Sequence, residues 1–145
     1  MKTFNRVILA SLLAVASFTT AASFSQETPA TPTPSATAFE LRIYTAAEGK
    51  LDALNARFRN HTLKIFEKHG IKNIGYWTGA DGEDKNKIFY IIAYPDLASR
   101  EKMLVNGIAK DPEFLKIVAE SEKDGKLTTK VESIMLNATD YSPIK

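Results

Sequence analysis

Between Phe39 and Trp77 the chain changes its hydrophobic period twice. Phe39, Leu41 and Ile43 alternate with Glu40, Arg42 and Tyr44, the period-two pattern of a half-buried strand whose second face carries an acid, a guanidinium and a phenol in register. Leu51, Leu54, Phe58, Ile65 and Phe66 then share one stripe at helical spacing. This predicts an amphipathic helix over Lys50–His69, stopped by Gly70. Ile74–Thr78 reads as a short strand, Gly79–Asn86 as a polar turn, and Ile88–Tyr94 as an apolar strand buried on both faces and bounded by Pro95. The two strands should pair as a hairpin. Asp96 is placed to cap a helix over Leu97–Asn106, and Asp111 with Pro112 at the first helical position opens another over Glu113–Lys123, closed by Gly125. Thr129–Leu136 is the last strand.

Strand, helix, two strands, helices and strand make the split βαββαβ order of an α+β, ferredoxin-like domain. Right-handed crossovers then give an antiparallel sheet of order 4-1-3-2 with its helices on one face. Phe39, Leu41 and Ile43 are expected to face those helices, leaving Glu40, Arg42 and Tyr44 on the open face. Large side chains on both faces would expose a wide apolar patch in a single copy. Two copies stacked sheet to sheet would remove it and enclose a cavity, so the expected assembly is a homodimeric α/β barrel.

The residues before this domain have a different character. Lys2 and Arg6 precede an apolar stretch, Val7 to Phe18, and then the small residues Thr19–Ser23, the layout of a cleavable signal peptide over residues 1–22. That stretch is shorter than the ~17–25 residues of a membrane-spanning helix. Residues 23–37 form a linker rich in proline and threonine, with Pro29, Pro32 and Pro34 and no apolar residue larger than alanine after Phe24, too polar to pack. The domain then spans residues 38–142. Export to the periplasm or the medium is the expected destination, with no integral membrane segment after cleavage.

Losing Lys2 and Arg6 brings the bases down from 19 to 17, against 17 acids, so the mature chain is formally neutral. A neutral chain without a basic block does not suit nucleic acid. With no cysteine, thiolate chemistry, disulfides and zinc sites built on thiolates are excluded.

The chain resembles the NIPSNAP proteins of the dimeric α/β barrel superfamily. The resemblance rests on FELRIYT at 39–45, RFRNHT at 57–62 with FEKHG at 66–70, NIGYW at 73–77 and IAYPDLASREK at 92–102. DPEF at 111–114 and SEKDGKLTTKVES at 121–133 extend it. It is nearest to exported bacterial members, and it implies a barrel cavity without fixing a chemistry. The wider superfamily includes cofactor-independent monooxygenases, haem-degrading enzymes, peroxidases and small isomerases.

Within such a cavity, Arg42 can fork onto a carboxylate or enolate and Tyr44 can donate one hydrogen bond. A structural ion pair of Arg42 with Glu40 or Glu132 is the competing explanation. His61, at the edge of the helical stripe, is the candidate for proton transfer, while His69 in the last turn suits a capping role. Trp77 and Tyr94, with Tyr76 and Tyr90 on the same strands, would stack on a flat apolar molecule, or pack against helices instead. The two histidines lie eight residues apart and the turn acids Asp81, Glu83 and Asp84 follow no calcium-loop pattern, so neither a metal nor a cofactor is expected. Three functions fit: a domain binding a small hydrophobic or aromatic ligand, a cofactor-independent monooxygenase or isomerase using His61 or Tyr44, and a non-catalytic interaction module.

Overall fold

Strand β1 (Ala38–Ala46) lies at the inside of a four-stranded antiparallel sheet, between β3 (Lys87–Tyr94) and β4 (Thr128–Leu136), with β2 (Lys72–Thr78) beyond β3. The order β2-β3-β1-β4 is the expected one read from the other edge. The computed structural model describes residues 37–145; the expected signal peptide, and the linker up to Ala36, lie outside the described residues. Among the described residues no helix is long and apolar enough to cross a membrane.

Helix α1 runs Leu51–Arg57, widens into a π turn over Phe58–Thr62, and continues over Leu63–Lys68. Gly70 ends it at φ +78°, a left-handed conformation that side chains with a Cβ rarely adopt. Helix α2 spans nearly the stretch the spacing predicts, though not as regular α-helix throughout. It covers Leu97–Arg100, passes into a second π turn over Glu101–Val105, and gives way at Gly107 to a 3-10 turn over Ile108–Lys110. Helix α3 covers Pro112–Ser121. Both acid caps form: Asp96 accepts from the Ser99 amide at 2.7 Å, and Asp111 from the Glu113 amide at 2.8 Å.

The face assignment of the sheet is the reverse of the expectation. Tyr44 meets Phe58 of α1 edge to face at 5.6 Å, and Arg42 pairs in register with the fully buried Tyr90, so Glu40, Arg42 and Tyr44 lie under the helices. Alternation fixes which residues share a face but not which face receives the helices; here both faces carry large apolar side chains, and the hydrogen bonds among Glu40, Arg42, Tyr90 and Tyr94 let the more polar one go inside. The core is built on Ile88, Tyr90, Ile92 and Tyr94 of β3 with Leu54, Ile65 and Phe66 of α1. The open face carries Leu41, Ile43, Phe89, Ile91, Trp77 and Ile134, with Trp77 55% and Ile134 48% exposed. Trp77 lies over Gly75, where any Cβ would collide with the indole ring. At one end of this face the C-terminal tail crosses, setting Ile144 beside Phe39, Ile74 and Ile91.

Candidate functional site

Glu40 is fully buried and receives every hydrogen bond a carboxylate can use. Arg100 of α2 forks onto it at 2.7 and 3.0 Å, Arg42 reaches it at 2.6 Å, Tyr94 donates at 2.7 Å and Ser133 of β4 at 2.5 Å. Burial alone would raise its pKa. The hydrogen bonds from Arg100, Ser133 and Tyr94, with the charge of Arg42, outweigh that and hold the carboxyl at about 2. Arg42 also donates from Nε to the Tyr90 hydroxyl at 2.9 Å and from Nη2 to the Tyr44 hydroxyl at 3.3 Å. Burial opposes its charge, but the phenol oxygens of Tyr90 and Tyr44 and the Glu40 carboxylate keep its pKa above the ordinary arginine value, making it a permanent cation. Burial first of all raises the Tyr90 and Tyr94 phenols, which stay protonated, Tyr94 donating to Glu40 and Tyr90 accepting from Arg42.

Tyr90 is the hub of an aromatic cluster. Tyr76 stacks on it with centroids 5.2 Å apart and planes 10° from parallel, while Phe58 and Tyr44 meet it edge-on at 5.1 and 5.4 Å. Beside this cluster, between the sheet and the helices, lies a cavity of about 210 Å3. Arg42 and Tyr44 line its sheet side, Arg57, Phe58, Thr62 and Phe66 line it from α1, and Leu104 and Phe114 close it opposite. Among the described residues no acidic residue lines it. Both π turns of the described residues border it, through Phe58 and Thr62 in one and Leu104 in the other. Such turns open a helix locally and recur at functional sites.

Of the candidate site residues singled out in the sequence, Arg42 and Tyr44 meet in this cavity, which lies under the helices and not on the open face where they were expected, and the others do not. Tyr94 is buried against Glu40, outside the lining; Trp77 is on the opposite face of the sheet. Glu132 is also on that opposite face, paired in register with Ile43 and bonded to Lys130 at 2.8 Å, so Arg42 is balanced by Glu40 alone of the two acids considered. His61 is exposed in an outer groove between α1 and α3, away from the cavity. Seven residues after Leu54, a regular helix would bring it inward; the extra residue in the π turn gives that position to Thr62, which is 4% exposed. His69 stands at the C-terminal cap of α1, as its place in the last turn suggested, and its ring contacts Asp111 at 2.7 Å; with Lys68 it ties the end of α1 to the start of α3. Among the described residues no group of acids and histidines is arranged to hold a metal.

Arg57, Thr62 and Arg100 escaped the sequence reading. One signal for the first two was present: the buried set Leu54, Arg57 and Phe58 recurs as Thr62, Ile65 and Phe66, eight residues on rather than seven. Eight residues of regular helix overshoot two turns by about 80°, so a repeat of eight implies one residue extra. Nothing in the spacing joins Arg100 to Glu40, 60 residues away.

The NIPSNAP family model matches residues 39–143. Among solved structures, a NIPSNAP family protein from Agrobacterium tumefaciens superposes with a TM-score of 0.65 at 22% identity, over 75% of this chain and 99% of its own. A second protein of the family from the same organism, described as of unknown function, gives 0.65 at 23% identity over 76% and 95%. An uncharacterized NIPSNAP-like domain protein from Burkholderia xenovorans gives 0.64 at 20% identity over 74% and 89%. At these identities the likeness is one of fold. No curated protein matches the sequence significantly.

Proposed function

This chain belongs to the NIPSNAP family, and from that premise we propose that it is an exported domain that binds a small, partly aromatic molecule in the cavity between α1 and the sheet. The observation that carries this reading is the unfinished hydrogen bonding of Arg42. A guanidinium has five N–H donors, and Arg42 commits one each to Tyr90, Glu40 and Tyr44, leaving one on each terminal nitrogen beside a cavity with aromatic walls. Arg42 and Tyr44 orient the polar end of the ligand, and Phe58, Phe66 and Phe114 cover its apolar part. At about 210 Å3 the cavity is below the ~300–1,000 Å3 of drug-sized sites, so the ligand is small. The same reading includes a homodimer. Its support is the open face, which the described residues cover only where the tail crosses one end, and where Leu41, Ile43, Phe89, Ile91 and Ile134 would pack against a second copy.

The test is native mass spectrometry of protein purified from its own host, with identification of whatever is released on unfolding. A small organic molecule, retained by the wild type and lost from Phe58→Ala, is the expected result. An empty protein whose melting temperature is unmoved by a library of small aromatic compounds would overturn the reading.

A further inference from the structure

We infer that the cavity is built for an organic monoanion, its carboxylate or enolate head held between Arg42 and Arg57. The inference rests on the cavity reading above and adds the charge of the ligand. Charge balance argues for it first. Glu40 is shared by two arginines, the largely buried Arg42 and the partly exposed Arg100, so the cluster carries one formal positive charge in excess. On the far wall, Arg57 is balanced by Glu122 at 2.9 Å, and it donates to both Glu122 and Ser121 from the one nitrogen Nη1. Among the described residues no buried side-chain polar atom lacks a partner, so the uncommitted Nε and Nη2 of Arg57 reach open space, and the cavity is one of the two spaces Arg57 lines.

Two arginines thus line a small cavity that, among the described residues, no acidic residue lines, with one formal positive charge in excess. An anion there gains the excess charge and the free N–H donors together, in surroundings where water screens little. A cation would meet the same charges as repulsion. The walls of Phe58, Phe66 and Phe114 favour an anion with an apolar body over an inorganic one.

The chain has no cysteine, which makes the local potential directly measurable. Thr62→Cys puts a thiol in the cavity wall and His61→Cys puts one on the outside of the same turn. Each is treated with three methanethiosulfonates of similar size, bearing ethylsulfonate, hydroxyethyl or ethyltrimethylammonium groups, and modification rates are followed by mass spectrometry. Comparing rate ratios at each site cancels differences in thiolate content. The anionic-to-cationic ratio at Thr62→Cys should exceed that at His61→Cys by at least about tenfold, and Arg42→Met in the same background should abolish most of the excess. Equal ratios at the two sites, with the neutral reagent reacting at both, would overturn the anion assignment and leave the cavity reading standing. Failure of even the neutral reagent to modify Thr62→Cys while His61→Cys reacts would overturn the cavity reading and this one with it. Leu104→Cys, on the opposite wall, replaces Thr62→Cys if that variant does not fold.

Discussion

Replacing Glu40 by glutamine tests whether the buried carboxylate is as strongly held as its five hydrogen bonds imply. The side chain is fully buried, and its pKa is lowered from 4.5 to about 2. A shift of that size corresponds to about 3 kcal/mol of folding free energy at neutral pH, within the range lost when one member of a buried ion pair is removed. The group's folded pKa is depressed, so its contribution is complete above the unfolded value of 4.5 and disappears as pH falls towards 2. By pH 3 about 2 kcal/mol of it should be gone. Urea unfolding followed by far-ultraviolet circular dichroism, for wild type and Glu40→Gln at pH 7 and pH 3, measures this directly. The wild type should be about 3 kcal/mol more stable at pH 7 and only about 1 kcal/mol more stable at pH 3. Asp111, whose carboxyl is also held low, by His69 and Lys68 before all else, weakens both proteins alike in acid and cancels in the difference. A gap between the two proteins that stays constant from pH 7 to pH 3 would refute the argument.

Three other outcomes follow from the geometry. Phe58→Ala should cost about 3–5 kcal/mol in the same unfolding assay, because Phe58 is buried among Tyr44, Tyr76 and Tyr90; a loss under 1 kcal/mol would mean that the cluster closes over the gap. His61→Ala, by contrast, should change stability by less than about 0.5 kcal/mol and leave retention of any bound molecule intact, since His61 is exposed outside the cavity. Trp77→Lys combined with Ile134→Lys should shift the sedimentation coefficient from dimer to monomer with far-ultraviolet dichroism unchanged, and a wild type that sediments as a monomer at micromolar concentration would dismiss the sheet-to-sheet dimer.

Periodicity, caps and strand order were legible in the sequence because each depends on neighbours a few residues apart. Asp96 and Asp111 announce the helices they cap, and the alternation from Phe39 to Tyr44 announces β1. The facing of the sheet was not legible, since it depends on where Arg100 and Ser133 arrive around Glu40 from 60 and 93 residues away. Alternation put Arg42 and Tyr44 together on one face of β1, though on the opposite side of the sheet from the one expected; the α1 wall of the candidate cavity was missed because a stripe read at 3.6 residues per turn has no place for the π turn. That turn moved His61 outward and Thr62 inward, and so changed which side chain could act on a ligand.

The same turn bears on how the chain tolerates changes in length. Take away one residue between Arg59 and His61 and the inward set would recur after seven residues, two turns of an ordinary helix, with Leu54, Phe58, Ile65 and Phe66 still directed at the sheet. A deletion inside a helix usually wrecks its packing; here it would mend an irregularity. The fold therefore has no need of the surplus residue, and a shortened chain should keep its sheet and core, with Phe58 and Thr62 on the inward face, while losing the widened turn beside the cavity.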